Sequence, residues 1–134
     1  MNYVAEVIKK FAPINGMGIP ASDNIEEIVQ NLLENENIIC IEKEGKGVIL
    51  GLLYPLYYNP EIIIAQELGW WVEPEYRNTT IGIKLLKAFE KEAKNKGADK
   101  IMMIYLDSQS PENVNKMLTK LNYSSVEHSM VKDI

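Results

Sequence analysis

The segment spanning residues 67–86 constrains the fold more than any other part of the chain. A strand, a short polar turn and an amphipathic helix follow one another within it, and the turn contains Arg77, Asn78, Thr79 and Thr80. A helix that begins directly after such a turn has several backbone N–H groups without an intrahelical acceptor, and its dipole favours negative charge there. The segment therefore predicts an anion site of the kind that holds a phosphate or pyrophosphate.

The first half of the chain shows helical periodicity followed by strand patterns. Apolar residues at helical spacing predict a helix over 2–11. A second helix is expected to begin at Ser22 or Asp23, because Asp23 and Glu26 fit a capping box. Three strands follow over 37–42, 48–57 and 62–73. A glycine-containing turn signal joins the first two strands, so the three are expected to form an antiparallel meander.

The second half alternates between helix and strand. The helix after the polar turn is expected to stop at Gly97, and a nearly continuous apolar strand follows over 100–106. A strand, a helix and a buried strand in this order form a right-handed βαβ unit, whose two strands run parallel. Ser110 as N-cap and Pro111 at the first helical position open a last helix, and a final strand is predicted over 123–131.

Together these elements predict one domain over residues 1–134 with an α+β, or mixed α/β, fold. Its central mixed sheet would consist of the antiparallel meander followed by the parallel βαβ unit, and helices would flank it. The length of 134 residues suits a single domain with a hydrophobic core.

Charge and hydropathy narrow the classes of partner. The net charge of −5 argues against a broad basic surface, so nucleic acid is disfavoured as a partner. No apolar run is long enough to span a bilayer, and the N-terminus lacks the apolar stretch of a secretory signal. A cytoplasmic protein without a membrane partner is therefore expected. The richness in Ile, Asn and Lys is typical of an AT-rich bacterial or phage genome.

The chain contains one cysteine and one histidine. Cys40 lies in an apolar run, which favours a small buried hydrophobe over a reactive thiol. His128 alternates with Val126 and Met130 in the predicted final strand, which favours a packed or surface residue over a catalytic one. No Cys/His cluster has the spacing of metal ligands, so no metal site is predicted.

Glu67 is a carboxylate within an otherwise apolar strand. It is either an edge residue that faces water or pairs with a cation, or a general base whose pKa partial burial raises. Gly69, two residues later, marks a bulge or a close approach of another backbone, and a bulge would exchange the faces of the strand beyond it. Arg77 likewise has two interpretations. It is either a solvated turn residue or a residue whose guanidinium group binds two phosphate oxygens.

The run from Glu67 to Leu86 resembles motif A of the GNAT superfamily of N-acetyltransferases, in particular its small bacterial and phage-encoded members. The pyrophosphate loop of that family reads Arg/Gln-x-x-Gly-x-Gly/Ala and enters a helix. Arg77 and Gly82 match its first and last positions. The order of elements, a meander followed by a βαβ unit and then a helix and a strand, is also similar to GNAT folds.

The resemblance implies an acetyltransferase that uses acetyl-CoA as cosubstrate. The pyrophosphate would lie on the amides of the turn, and the strand backbone would pair with the pantetheine amide. The implied cofactor-binding residues are Trp71, Val72, Arg77, Asn78, Thr79, Thr80, Ile81, Gly82 and Ile83. Glu67 would be the base for a primary amine of a small-molecule or protein acceptor, which attacks the thioester directly.

Two positions depart from the family pattern. The first glycine of the loop is Thr80, and a threonine tolerates φ > 0 poorly, although its N–H can still face phosphate if φ stays negative. Many members carry a tyrosine in the last helix that protonates the leaving thiolate, and Leu118 occupies that place. Tyr105 or water would then supply the proton.

Two other functions fit the same fold. One is a non-catalytic acyl-CoA-binding or protein-interaction module, which Thr80 and Leu118 favour. The other is a phage-type enzyme that modifies nucleic acid, which the acidic balance disfavours. The oligomeric state is open, and it includes a homodimer.

Overall fold

One mixed sheet organises the chain, which the computed structural model describes over residues 2–15, 17–105 and 111–134. The helices in those ranges are α1 (Asn2–Phe11), α2 (Ile25–Glu34), α3 (Ile81–Asn95) and α4 (Pro111–Lys120). The strands are β1 (Ile38–Lys43), β2 (Gly47–Leu56), β3 (Asn59–Val72) and β4 (Lys100–Met102). Short 3₁₀ helices lie at Ala12–Ile14 and Pro74–Tyr76.

The sheet has the strand order β1-β2-β3-β4. The first three strands form an antiparallel meander, and β4 pairs with β3 in parallel after the crossover through α3. This topology confirms the predicted mixed fold. Helix α3 ends where expected, because Gly97 adopts φ 90°, a conformation that glycine reaches without a Cβ clash.

The sheet has a hydrophobic cluster on each face. On one face, α3 presents a stripe at helical spacing, and its most buried members are Leu85, Leu86, Phe89 and Ala93. On the other face, α1 and α2 pack with Val48 and Trp71. The sheet therefore separates α3 from α1, and any ligand at the β3–β4 edge lies between these two layers.

A bulge interrupts β3 beside Gly69, which is one of the two alternatives that the sequence left open there. Gly51 of β2 pairs with Glu67, whereas the preceding residue Leu50 pairs with Gly69, so Leu68 is the extra residue. The bulge exchanges the faces of the strand beyond it. Ala65 before the bulge and Trp70 after it consequently lie in the same cluster against α3.

Two predictions about element boundaries near the N-terminus and at β4 are wrong. Helix α2 begins at Ile25 and has no side-chain cap, because the Ser22 hydroxyl bonds to Asn24 and not to a helical amide. Strand β4 ends at Met102 and not at 106, because its pairing with β3 stops at Gln66, just before the bulge. Residue 106 and the predicted N-cap Ser110 lie outside the described residues.

The final strand predicted over 123–131 is also wrong. Residues 123–134 form no strand, and Val126 and Met130 are exposed by 76% and 97%. The apolar alternation there is short and charged residues interrupt it, so burial on a sheet would gain little. His128 is correspondingly an exposed residue of an extended tail.

Cys40 packs against the cluster formed by α1 and α2, as predicted for a small hydrophobe. Burial, and secondarily the charge of Glu42, raises the pKa of its thiol to about 11. The thiol is therefore protonated near neutral pH, which disfavours nucleophilic chemistry. Within the described ranges, no group of three or more His, Cys, Asp or Glu residues could hold a metal ion. In those same ranges, no helix is both long and apolar enough to span a membrane.

Candidate active site

Strands β3 and β4 part soon after they pair. Ile64, Ala65 and Gln66 pair with the three residues of β4, and β3 then continues to Val72. Over the described residues beyond Gln66, no strand pairs with that side of β3, so the two chains leave a cleft between them. A free strand edge of this kind can pair with an extended amide-containing ligand.

Glu67 lies where the two chains begin to part. Its carboxylate Oε1 accepts a hydrogen bond from the Ile104 N–H at 3.1 Å, and the residue is only 4% exposed. No ion pair to Glu67 is formed among the described residues. The interpretations as a water-facing or cation-paired residue are therefore wrong for this conformation.

Burial raises the pKa of Glu67 to about 7, although the hydrogen bond from the Ile104 amide acts in the opposite direction. A carboxyl group with this pKa is divided between its two protonation states near neutral pH. It can therefore accept a proton from an ammonium group and release it again, which is the requirement for a general base.

The turn between β3 and α3 exposes backbone donors. Thr80 is the N-cap of α3 and has φ −84°, so threonine at this place causes no backbone strain. The Thr79 hydroxyl donates to the Tyr76 carbonyl and accepts the Ile81 N–H at 3.3 Å. The Thr80 side chain makes no capping bond, so the next amide of α3, that of Gly82, has no partner among the described residues. This geometry provides anion-binding donors.

Gly82 lies against the end of β3. The Trp70 indole N–H donates to the Gly82 carbonyl at 3.2 Å, which ties the start of α3 to the strand. A Cβ at Gly82 would lie 3.6 Å from Val72 Cγ2 and 3.7 Å from Trp70 Cζ2, which are ordinary van der Waals distances. Packing against β3 therefore does not require glycine here.

Replacement of Gly82 by alanine is accordingly expected to stabilise the fold by up to about 1 kcal/mol, since alanine is the better helix former. The affinity of the turn for pyrophosphate should change less than about threefold, because the new methyl group points at Trp70 and Val72 and the amide keeps its direction. Chemical denaturation and calorimetric titration measure the two quantities. A large loss of affinity would mean that the ligand itself contacts the Gly82 Cα.

Arg77 is folded back onto the strand that precedes it. Its Nε donates to the Val72 carbonyl at 2.8 Å, and its guanidinium carbon lies 4.7 Å from the centroid of the Trp71 ring. The side chain is therefore neither a freely solvated turn residue nor, in this conformation, extended over the amides of the turn. Its two terminal nitrogens make no bond to another described residue, so they remain available to an anion.

A polar cluster around Glu73 holds the Trp71 ring against which Arg77 packs. The sequence did not predict this cluster. The Glu73 carboxylate accepts bonds from Tyr3 Oη at 2.7 Å, Lys10 Nζ at 3.0 Å and Trp71 Nε1 at 3.0 Å. Burial acts to raise the pKa of Glu73, but the three donors outweigh it and the pKa is lowered. The cluster joins α1 to the indole on which Arg77 rests.

The last helix supplies no acid at the expected place. Leu118 is 5% exposed and belongs to the core against α3. Tyr123 donates to Glu90 at 2.6 Å, and burial together with that carboxylate raises its pKa. Tyr105 differs, because its hydroxyl accepts a bond from Asn115 at 2.8 Å and keeps its own proton for another acceptor.

The sequence model described as the Acetyltransferase (GNAT) family matches residues 6–121. The chain belongs to this family. It is therefore an enzyme of the acetyltransferase class, and the fold described above is the GNAT fold. The match includes Glu67, the polar turn, α3 and α4. No curated protein sequence matches the chain significantly.

Solved structures share this fold at low sequence identity. A transcriptional regulator from Bacillus halodurans superposes with a TM-score of 0.76 at 14% identity, over 99% of this chain and 93% of its own. AAC(6')-Iy in complex with the bisubstrate analog CoA-S-monomethyl-acetylneamine has a TM-score of 0.71 at 15% identity, over 99% and 91%. A predicted acetyltransferase with acetyl-CoA, from Clostridium acetobutylicum, has a TM-score of 0.68 at 18% identity, over 97% of this chain and 88% of its own.

Proposed function

We propose that this enzyme transfers the acetyl group of acetyl-CoA to a primary amine by direct attack of the amine on the thioester. The observation that carries the proposal is the buried Glu67 carboxylate at the point where β3 and β4 part. A base with a raised pKa stands there beside a free strand edge and an anion site, which are the two features that a pantetheine–pyrophosphate ligand needs.

The donor would bind along the end of β3 and over the start of α3. The residues proposed to hold it are Trp71, Val72, Arg77, Asn78, Thr79, Thr80, Ile81, Gly82 and Ile83. Three large apolar side chains near this path are partly exposed, Leu68 at 41%, Ile83 at 36% and Ile104 at 46%. A bound pantetheine chain would cover such residues, which supports the assignment. The acetyl-CoA and CoA-analog complexes among the structural neighbours are consistent with it.

Glu67 would take a proton from the acceptor ammonium, directly or through water. The freed amine attacks the thioester carbon, a C–N bond forms, the C–S bond breaks and CoA leaves as a thiolate. The thiolate is a good leaving group near neutral pH, so a proton from Tyr105 or from water completes the reaction. No tyrosine at Leu118 is required.

A non-catalytic acyl-CoA-binding module is the second candidate, and the burial of Leu118 in the core favours it. A binding measurement and an activity measurement together distinguish the two functions. Thermal denaturation with CoA or acetyl-CoA should show stabilisation under both, because a ligand that binds only the folded state raises its stability. Release of free thiol with a panel of amines should occur only if the chain is catalytic. Absence of any stabilisation would reject both.

Replacement of Arg77 by alanine should weaken acetyl-CoA binding by about tenfold or more, because charge-assisted bonds from its free terminal nitrogens to phosphate would be lost. Isothermal titration measures the affinity. Lys87→Ala is the matched control, since Lys87 is an exposed cation of α3 that lies outside the proposed site. Equal affinities of the two variants would remove Arg77 from the pyrophosphate site.

A further inference from the structure

A cavity of about 200 Å³ lies on the face of the sheet opposite α3. Helix α1 forms one wall through Val7, Ile8 and Phe11, and β3 forms another through Leu68 and Gly69. Of the two tryptophans in its lining, Trp71 donates its indole N–H to Glu73, and Trp70 directs its indole to Gly82 on the other face of the sheet. The Asn15 amide oxygen likewise accepts the Met17 N–H. The cavity is therefore almost wholly apolar.

The cavity adjoins the proposed reaction site through the bulge. Leu68 and Gly69 line it and directly follow Glu67 in β3. Leu68 is 41% exposed, so the lining extends to the protein surface at the bulge, beside the free strand edge. The Glu67 side chain lies on the α3 face, as Ala65 does, so an amine would reach it around the free strand edge and keep its substituent between α1 and β3.

We infer that this cavity is the acceptor subsite and that it selects primary amines carrying one apolar group about the size of a phenyl ring or a branched alkyl chain. The inference rests on the proposed acetyltransferase function. An apolar cavity of roughly 150 Å³ holds benzene, so the volume here suits one ring. No carboxylate lines the described walls, so a second cationic group would have no partner there.

Turnover with matched amines tests this selection. Thiol release with phenethylamine and isoamylamine is compared with ethanolamine and cadaverine, at saturating acetyl-CoA. Burial of the apolar group should raise kcat/KM for the first pair about 30-fold or more. A peptide with an N-terminal phenylalanine tells whether the apolar amine comes from a small molecule or a chain terminus. Calorimetric titration of phenethylamine into the CoA-saturated enzyme gives a second readout that does not depend on turnover.

Two variants change the size of the cavity without touching Glu67. A Cβ at Gly69 would lie 3.7 Å from Phe11 Cε2, an ordinary contact, so Gly69→Ala narrows the cavity without a clash. It should lower kcat/KM for phenethylamine about tenfold and leave ethanolamine unchanged. Ile8→Ala widens the cavity. The ratio of kcat/KM for naphthylmethylamine to kcat/KM for phenethylamine should be about tenfold higher in this variant than in the wild type. Ile28→Ala is the control, because it removes the same atoms from the same cluster outside the cavity.

Some outcomes would overturn the subsite and leave the transferase function standing. Equal kcat/KM for apolar and polar amines would do so, as would Gly69→Ala affecting every amine alike. If no amine releases thiol although CoA binds, the catalytic proposal fails. The titration then decides the cavity by itself, and absence of phenethylamine binding to the CoA-saturated protein rejects it.

Discussion

Replacement of Glu67 by glutamine is expected to lower kcat by about 10²-fold to 10⁴-fold, the usual contribution of a positioned general base. Glutamine keeps the oxygen that accepts the Ile104 N–H, so the cleft should retain its shape. The variant should bind acetyl-CoA with unchanged affinity, because Glu67 lies at the vertex of the cleft and not at the pyrophosphate turn. Single-turnover thiol release and a titration with acetyl-CoA measure the two effects separately.

The pH dependence gives this prediction a sharper form. Glu67 acts as a base only when it is ionised, and burial raises its pKa to about 7. The kcat of the wild-type enzyme should therefore fall as the pH is lowered through about 7. Glu67→Gln should show no such fall over this interval, because glutamine does not titrate.

The free energy of unfolding should change with pH in the direction opposite to that of kcat. The unfolded chain releases the Glu67 proton near the ordinary glutamate pKa of 4.5, whereas the folded protein holds it until the pH reaches about 7. The folded state therefore binds more protons between these values, and its stability decreases as the pH rises through them. The difference corresponds to roughly 3 kcal/mol. Urea denaturation should show Glu67→Gln gaining stability relative to the wild type by about that amount between pH 4.5 and pH 8.

Glu61→Gln is the matched control, since Glu61 is an exposed glutamate on the same strand. It should leave kcat and its pH profile unchanged. A Glu67→Gln enzyme with wild-type kcat would eliminate the general-base role. Full retention of the pH profile in that variant would show that another group titrates.

Local signals in the sequence predicted the parts of the site that neighbouring residues form. The polar turn, the start of the helix that follows it and the stop of that helix at Gly97 each depend on residues that are close together in the sequence. The bulge beside Gly69 was among the predicted alternatives, because a glycine within a strand often marks a bulge or a close approach of another backbone. The burial of Glu67 was one of the two interpretations that the sequence left open, and its bond to Ile104 was not predicted.

Contacts between distant residues were not predictable in the same way. Glu73 receives bonds from Tyr3 and Lys10, which are 70 and 63 positions away. No local pattern distinguishes these donors from other polar residues of an amphipathic helix. The final strand over 123–131 failed for a related reason, since alternation predicts a strand only if a sheet edge is available to pair with it. The cavity beside Phe11 likewise depends on how α1 crosses the sheet.

Gly51 is the position at which a single methyl group should damage the fold most. Gly51 pairs with Glu67 across the bulge, and the ring of Phe89 from α3 packs directly over it. A Cβ at Gly51 would overlap Phe89 Cε1 and would lie 2.9 Å from the Gln66 carbonyl oxygen. Phe89 is fully buried, so its ring has no free space into which it can move. Gly51→Ala should therefore destabilise the protein by roughly 3 kcal/mol, at the upper end of overpacking costs.

A double-mutant cycle can attribute this cost to the ring. Phe89→Leu removes the overlapping atoms, so Gly51→Ala should cost at least about 1 kcal/mol less in that background than in the wild type. Gly69→Ala is the control on the neighbouring strand, where a Cβ meets Phe11 only at 3.7 Å, and it should have little effect on the free energy of unfolding. If the effects of Gly51→Ala and Phe89→Leu on the free energy of unfolding are additive, a clash with Phe89 is contradicted. The strain would then lie in the backbone. In that case the Gln66 carbonyl, which precedes Glu67, would be the group displaced, and kcat should fall along with stability.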